Sequence, residues 1–237
     1  MTRARRKLRT ALAVIAVLGG SIARADPFET GGEASIRVGS FRPAIDSEFR
    51  GGSNPYALAF GSGGMWGGRL EYARTVSGGA GTLGLGVGLG WFGAFGHGLY
   101  QDATTGAWTT SRDETALHVV PASLFAMYRL DALAGHALPL APYGRVSLEE
   151  YLWVTTGTAH ASRTGATAGY GFTVGVALLL DVLDPSLARE LAQETGVRHT
   201  CLTLDATRAV VNDFGSARSW DLSTRGWALS GGLTLTF

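Results

Sequence analysis

Glycine at alternate positions restricts the fold of this chain more than any other feature of its sequence. Gly84, Gly86, Gly88 and Gly90 alternate with large apolar residues in the segment GTLGLGVGLGW (81–91). A repeat of two is the period of a β-strand, whose side chains point alternately to its two faces. The bare face would have nothing to bury in a sandwich core. A barrel gives it a use, because glycine inside leaves room for larger groups from neighbouring strands.

A phosphate-binding loop is the alternative for a glycine-rich run. The dinucleotide fingerprint G-x-G-x-x-G leads from a strand into a helix. Position 89 is Leu, and no amphipathic helix follows. The segment therefore favours a strand.

The first 25 residues have the layout of a cleavable secretory signal peptide. Basic residues between Arg3 and Arg9 precede an apolar run, 11–18, and Ala23-Arg24-Ala25 supplies a cleavage site. The apolar run is far shorter than the ~20 residues of a membrane-spanning helix. We expect cleavage after Ala25 and a mature domain over 26–237.

The mature chain is acidic, because six of the 20 basic residues and none of the 19 acidic residues precede Asp26. The remaining 14 basic residues give a net charge of −5. Basicity is therefore no argument for nucleic-acid binding. The single Cys201 excludes an internal disulfide framework despite the oxidising compartment that export implies.

Period-two patterning marks eight segments with lengths near the ~9–11 residues that cross a bilayer at a tilt. They are 34–41, 65–74, 81–91, 115–130, 139–154, 170–181, 198–207 and 225–237. Pro121 cannot donate to a ladder, so we expect a bulge there. We predict an all-β fold, an eight-stranded antiparallel transmembrane β-barrel. Asp184, Pro185 and Gly196 predict a short periplasmic helix near 185–195.

Connections of alternating length predict the topology, with both termini periplasmic. We expect periplasmic turns near 76–81, 131–137 and 184–196. The longer extracellular connections are expected at 42–64, 92–113, 155–169 and 211–223.

Aromatic residues near strand ends are expected to form girdles at the membrane interfaces, with core packing as the alternative for each. They are Trp66, Trp91, Tyr100, Tyr128, Tyr143, Trp153, Tyr170 and Trp227. The final strand alternates outward apolar residues up to Phe237. This ending, with Leu233, Leu235 and Phe237, resembles the assembly signal of bacterial outer-membrane barrels.

Taken together, these segments resemble small bacterial outer-membrane β-barrel proteins of the eight-stranded OmpA-like and OmpW-like type. GSGGMWGGRLEYAR, GTLGLGVGLGWFGAFGHG, PLAPYGRVSLEEYLW and LDPSLARELAQETGVRHT also resemble an uncharacterised myxobacterial-type barrel family. The resemblance implies a location in the bacterial outer membrane, with its lipids and the barrel assembly machinery as partners. It implies no activity and no catalytic residues.

Six charged residues are expected to share the barrel interior, because they fall on the inward phase of their strands. They are Arg37, Arg69, Glu71, Arg145, Glu149 and Asp205. Buried charges must be paired or hydrated. We interpret them as a structural ion-pair network, with a path for small solutes as the alternative.

Residues for nucleophilic catalysis or metal binding are sparse. The nearby combinations are His118 with Ser123 and Glu114, and His160 with Ser162. His199, Cys201 and Asp205 have conceivable metal-ligand spacing but no partner cluster elsewhere. We predict no catalytic residue, cofactor or metal.

The sequence thus predicts a non-enzymatic outer-membrane barrel, either structural or a narrow passage for small solutes. A lipid-modifying enzyme, an acyl hydrolase or transferase, is one alternative. A surface-binding protein is the other, with Tyr56, Phe60, Tyr100 and Trp108 as contact groups in the loops.

Overall fold

The computed structural model describes residues 29–49, 54–78, 81–102, 104, 106–131, 139–158, 161–216 and 219–237. The signal peptide predicted at 1–25 lies outside these ranges, as do His160 and most of the turn predicted at 131–137. Within these ranges no helix is long and apolar enough to cross a membrane.

Eight antiparallel strands close into a barrel in chain order, which confirms the predicted fold class. The strands are β1 (Glu29–Phe41), β2 (Met65–Gly78), β3 (Gly81–Gln101), β4 (Trp108–Arg129), β5 (Leu140–Gly157), β6 (Arg163–Leu179), β7 (His199–Val211) and β8 (Ala228–Thr236). The last strand pairs with the first, so the sheet has no free edge along most of its height. We call the end where β1 begins and β8 ends the terminal end, and the opposite one the far end.

The register keeps alternate residues on one side of the sheet across several strands. Ile36 lies beside Leu70 of β2 and Leu233 of β8, and all three side chains face outward. Arg37 lies between Arg69 and Gly232 on the row that faces inward. The alternation in the sequence thus becomes an apolar outside and a mixed inside.

Strands β3 and β4 extend well beyond the segments expected from the sequence. The connection expected at 92–113 is only 102–107, and the one expected at 155–169 is 158–162. The alternation continues past Trp91, with Phe92 and Ala94 buried and Phe95 exposed. Glycine-rich composition there is typical of loops, but the ladder hydrogen bonds of paired backbones keep it extended.

The bulge expected at Pro121 is absent, and this prediction is wrong. The register between β3 and β4 is unchanged from the pair Leu89 and Ala122 to the pair Phe92 and Val119. The shift in that ladder lies between His97 and Leu99 instead. Proline lacks only an N–H group, and β4 accommodates it without an inserted residue.

Two short α-helices lie in the described parts of the connections, besides a 3-10 turn at Ile45–Glu48. The first, α1 (Pro55–Phe60), lies in the far-end connection between β1 and β2 and was not expected. The second, α2 (Pro185–Thr195), confirms the predicted helix. The Asp184 carboxylate accepts hydrogen bonds from the N–H groups of Ser186 and Leu187, and Gly196 ends α2 in the left-handed conformation. A 3-10 turn, Leu180–Val182, joins β6 to α2.

The bare face of β3 is inside the barrel, where it provides packing room. A Cβ atom on Gly86 would stand 2.5 Å from Phe125 Cζ, and one on Gly90 would stand 2.6 Å from Arg69 Cγ. Side chains from β2 and β4 thus occupy the space that glycine leaves. The larger groups expected to fill this room thus include apolar Phe125 as well as Arg69.

Candidate functional site

Six charged side chains form a layer across the barrel interior, which we call the ion-pair layer. Its members are Arg37, Arg69, Glu71, Arg145, Glu149 and Asp205. They come from inward positions of β1, β2, β5 and β7, so side chains from opposite walls of the barrel meet in this layer. Three arginines face three carboxylates, and their formal charges cancel.

Glu71 is the centre of this layer. Its Oε1 lies 2.6 Å from Arg145 Nη1, and its Oε2 lies 2.8 Å from Arg37 Nε. Arg37 also pairs with Asp205. All four residues are buried. A buried charge is tolerated when it is paired and hydrogen-bonded, so these contacts hold the strands in one arrangement.

A second pair lies beside the first. Arg69 Nη2 lies 3.1 Å from Glu149 Oε2 and also donates to the Tyr151 hydroxyl at 3.3 Å. The Ser147 hydroxyl donates to Glu149 Oε1 at 2.7 Å. Tyr151 is 2% exposed and adjoins the apolar side chains above the layer.

Two aromatic residues expected in the girdles face inward instead. Tyr143 is buried, accepts a hydrogen bond from Arg37 Nη1 at 2.9 Å and donates to Asp205. Trp153 stacks on Trp220 with ring centroids 4.4 Å apart. Tyr143 has the same phase as Arg145, so strict alternation would have placed it inside.

Two further ion pairs, which share Arg129, lie in the interior near the terminal end. Arg129 Nη1 lies 2.6 Å from Glu33 Oε2, and its Nε lies 2.7 Å from Asp131 Oδ1. These pairs are not predicted from the sequence, because the first predicted strand begins at residue 34, one residue after Glu33. The phase of Ser35 and Arg37 carries back to Glu33 and was the available signal.

An apolar plug fills the interior between the ion-pair layer and the far end. Its side chains come from inward positions of the strands and from both flanking connections. The plug consists of Phe41, Ile45, Tyr56, Met65, Phe92, Ala94, Leu117, Val119, Tyr151, Ala209, Val211 and Leu222. Phe41 packs edge-on against the rings of Phe92 and Tyr151.

The described residues of the two long far-end connections, 42–49, 54–64, 212–216 and 219–227, form a lid over the far end. They join through a β-bridge between Pro43 and Thr224. Buried Asp46 binds Arg42 Nη2 at 3.0 Å and accepts from the Tyr56 N–H at 2.8 Å. Tyr56, expected as a surface contact group, is 2% exposed, and Phe60 packs against the plug. That expectation is wrong for Tyr56, because its ring fills the barrel mouth.

Two cavities in the described part of the interior are small. One of about 40 Å³ lies where Arg37, Arg69 and Arg145 meet the plug residues Phe92 and Tyr151. Another, nearer the terminal end, has about 10 Å³. A water molecule needs roughly 10–15 Å³, so these spaces match a few waters at most.

The side chains considered for catalysis are not assembled. His118 faces outward, its ring stacked on Trp91 with centroids 5.6 Å apart. Ser123 faces the interior next to Gly88, on the opposite side of β4. Ser162 is exposed, and its expected partner His160 lies outside the described residues.

Two of the three residues considered for metal binding have other partners, and the third is buried. His199 Nδ1 lies 2.6 Å from Asp181 Oδ2, and Asp205 pairs with Arg37. Cys201 is buried. In the described part of the chain, no three His, Cys, Asp or Glu side chains group as a metal site.

The outer surface carries a continuous apolar belt that includes residues of every strand. The belt comprises Ile36, Val38, Trp66, Leu70, Tyr72, Leu83, Leu85, Leu89, Leu124, Tyr128, Val146, Leu148, Phe172, Val174, Leu202, Leu204, Leu229 and Leu233. Trp66 is 67% exposed and Leu204 is 62% exposed. Leu235 and Phe237, predicted with Leu233 as an assembly signal, end the same outward row of the last strand.

No protein-family model matches the chain, and no curated protein matches it. Among solved structures, it is similar to a major outer membrane protein from Thermus thermophilus, with 17% identity over 88% of this chain and 99% of that chain and a TM-score of 0.44. The N-terminal β-barrel domain of Pseudomonas aeruginosa OprF has 10% identity over 88% and 100%, with a TM-score of 0.41. Neisserial surface protein A has 11% identity over 89% and 97%, with a TM-score of 0.39.

Proposed function

We propose that this protein is a structural, non-conducting β-barrel of the bacterial outer membrane. The observation that carries the proposal is the apolar belt around a closed barrel whose inside holds the ion pairs. Soluble proteins rarely expose contiguous apolar surface of this extent. A closed barrel satisfies its backbone hydrogen bonds within the sheet, as a lipid-embedded structure must.

The sealed interior supports a structural role over a solute passage. From the far end inward, the lid, the plug and the ion-pair layer follow one another. An eight-stranded barrel is just wide enough for side chains to fill it. Nothing in this filling resembles the water-filled lumen of larger porins.

The orientation that we propose has the terminal end in the periplasm and the lid outside the cell. The far-end connections 42–64 and 212–227 are long, as cell-surface connections of such barrels are. Cleavage after Ala25, recognition of Leu233, Leu235 and Phe237 by the barrel assembly machinery, and kinship with the myxobacterial-type family remain predictions within this proposal.

Cell fractionation followed by gel migration with and without boiling tests the location. We expect the protein in the outer-membrane fraction, with a mobility shift on heating that reports a detergent-resistant barrel. Soluble periplasmic protein without a heat shift would overturn the proposal, and the apolar belt would then need another partner.

Surface recognition is a second candidate, favoured by the far end of β3 and β4. Beyond the rungs Trp66–Gly93 and Thr115–Gly157, residues 94–101 have ladder partners only in β4, and the paired residues among 108–114 have them only in β3. Phe95 and Tyr100 on this two-stranded ribbon are exposed. Cells expressing Phe95→Ser/Tyr100→Ser should lose adherence to immobilised glycans or proteins while the heat shift persists. Unchanged adherence would dismiss this candidate.

A further inference from the structure

The connection between β6 and β7 carries apolar side chains that the barrel leaves uncovered. Leu183 is 78% exposed, more than any other large apolar side chain of the described residues. Leu187 and Val182 are 59% and 54% exposed. Three such side chains within six consecutive residues need an apolar partner more than isolated surface leucines do.

Helix α2 is amphipathic and rests on the barrel by only part of its apolar side. Ala188, Leu191 and Ala192 are half-buried, and no residue of α2 is fully buried. The opposite side carries Arg189, Glu190, Gln193 and Glu194, all exposed. Leu187 therefore borders the docked side and remains open to the surroundings.

The position of the connection indicates its partner. Strand β6 carries the belt residues Phe172 and Val174 and ends at Leu179. Val182 and Leu183 follow within four residues, so they lie next to the terminal-end border of the belt. Any lipid that surrounds the belt also reaches this connection.

We propose that Val182, Leu183 and Leu187 insert into the periplasmic leaflet of the outer membrane, so that α2 lies in its interface. The inference rests on the proposed membrane location. Amphipathic helices with an apolar side and a charged side lie in this way at bilayer surfaces. Arg189 is outnumbered by Glu190 and Glu194, so apolar burial drives the insertion and phospholipid headgroup charge does not.

A second copy of the chain fits this surface less well. Stable interfaces bury about 1,200–2,000 Å² in total, and three side chains beside a half-docked helix offer far less. Phospholipid needs no such area, because the barrel already fixes the helix at the membrane border.

Spin labelling in nanodiscs of phosphatidylethanolamine and phosphatidylglycerol tests the inference on the full mature chain. The labels are placed at Leu187→Cys, at Leu183→Cys, and at Gln193→Cys on the polar side as the matched control. All are made in a Cys201→Ser background that retains the heat shift. Collision rates with oxygen, which concentrates in lipid, and with a nickel chelate, which stays in water, are compared.

We expect the oxygen-to-nickel collision ratio at positions 183 and 187 to exceed that at 193 by at least about threefold, as for side chains sunk into the acyl boundary. Equal ratios in heat-modifiable barrels would overturn the inference and leave the membrane location standing. Dipolar broadening between labels would assign the surface to a second copy and overturn it too. Failure of the chain to insert into nanodiscs would overturn both proposals.

Discussion

At the scale of single residues, the absence of a side chain on β3 is as consequential as any charge. Gly86 lies against Phe125 and the Tyr72 backbone, with 2.5 Å between its missing Cβ and both neighbours. A contact below 3 Å forces one of them to shift, and overpacking of this kind costs about 1–3 kcal/mol.

We therefore expect Gly86→Ala to lower the free energy of unfolding by about 1–3 kcal/mol in urea titrations of vesicle-embedded protein. Gly144→Ala is the matched control, because β5 is open for 4 Å around its missing Cβ. The control should stay within about 0.5 kcal/mol of the parent. Equal effects of the two substitutions would show that the glycine face is not filled by its neighbours.

The pair Arg69–Glu149 allows a sharper test of the ion-pair layer. Removing one member leaves the other charged and buried, which costs about 3–5 kcal/mol. Removing both leaves no orphan charge. We expect Arg69→Leu and Glu149→Leu each to destabilise the barrel strongly, and the double variant to be more stable than either.

Urea unfolding followed by tryptophan fluorescence measures this double-mutant cycle. Glu190→Leu on exposed α2 is the control for carboxylate loss and should change little. Additive losses in the double variant would mean that the two side chains stabilise the barrel independently, contrary to their contact at 3.1 Å.

The period-two alternation of the strands predicts most inward residues correctly. The wrong assignments occur where residue type was given more weight than the alternation. The alternation put Arg37, Arg69, Glu71, Arg145, Glu149 and Asp205 on inward phases, and the structure holds all six inside. Tyr143 was assigned to a girdle because it is aromatic, although its phase matched Arg145. Which inward charges pair with which depends on register and barrel closure, and neither is readable from one strand.

At the scale of elements, α2 shows how a short helix can be read from its ends. Asp184, Pro185 and Gly196 predicted its limits, because each residue type meets a specific need of a helix terminus. Helix α1 has comparable terminal residues in Asn54, Pro55 and Gly61, but it spans only six residues, too few to show an apolar period, and Asn54 makes no side-chain cap hydrogen bond. It is held by Asp46 of the same connection and by plug residues such as Val119 and Val211, which are distant in sequence.

The cap of α2 gives a pH prediction. Hydrogen bonds from the Ser186 hydroxyl and the Leu187 N–H hold the pKa of Asp184 below its ordinary value. The stabilisation of α2 is therefore complete above that ordinary value and is lost as the pH falls through the lower, folded pKa. We expect α2 amides to exchange hydrogen faster only below about pH 4.

Hydrogen exchange measured by mass spectrometry on 185–195 checks this expectation. Asp184→Asn retains a neutral acceptor and should remove the acid dependence, whereas Asp184→Ala should loosen α2 at every pH. An acid transition that persists in Asp184→Asn would assign it to another group.

At the scale of the whole molecule, the chain uses an outside-in arrangement of an ordinary β-protein. Apolar side chains cover the outside of the barrel. Inside, the ion-pair layer lies next to the apolar plug. Strand number and order followed from period-two segments and connection lengths. The lid could not be predicted from the sequence. The bridge between Pro43 and Thr224 joins segments about 180 residues apart, and a contact between such distant residues produces no local sequence pattern.

The succession of lid, plug and ion-pair layer predicts that no single one of them controls conduction. Asp46→Ala removes the carboxylate that ties the lid to Arg42 and to the Tyr56 N–H. In this variant the plug and the ion-pair layer remain, and the volumes of the cavities beside them are enough for a few water molecules only. We expect neither the parent protein nor Asp46→Ala to show stepwise conductance in planar bilayers, although the lid amides of the variant should exchange hydrogen faster.

Heat-modifiable protein must be present in the bilayer sample for this result to count, and a pore-forming peptide added at the end verifies that the bilayer conducts. Stepwise conductance in Asp46→Ala alone would make the lid the gate of an otherwise open lumen. Conductance in the parent protein would replace the structural role with the solute passage, because ions can cross only if the plug and the charged layer separate together.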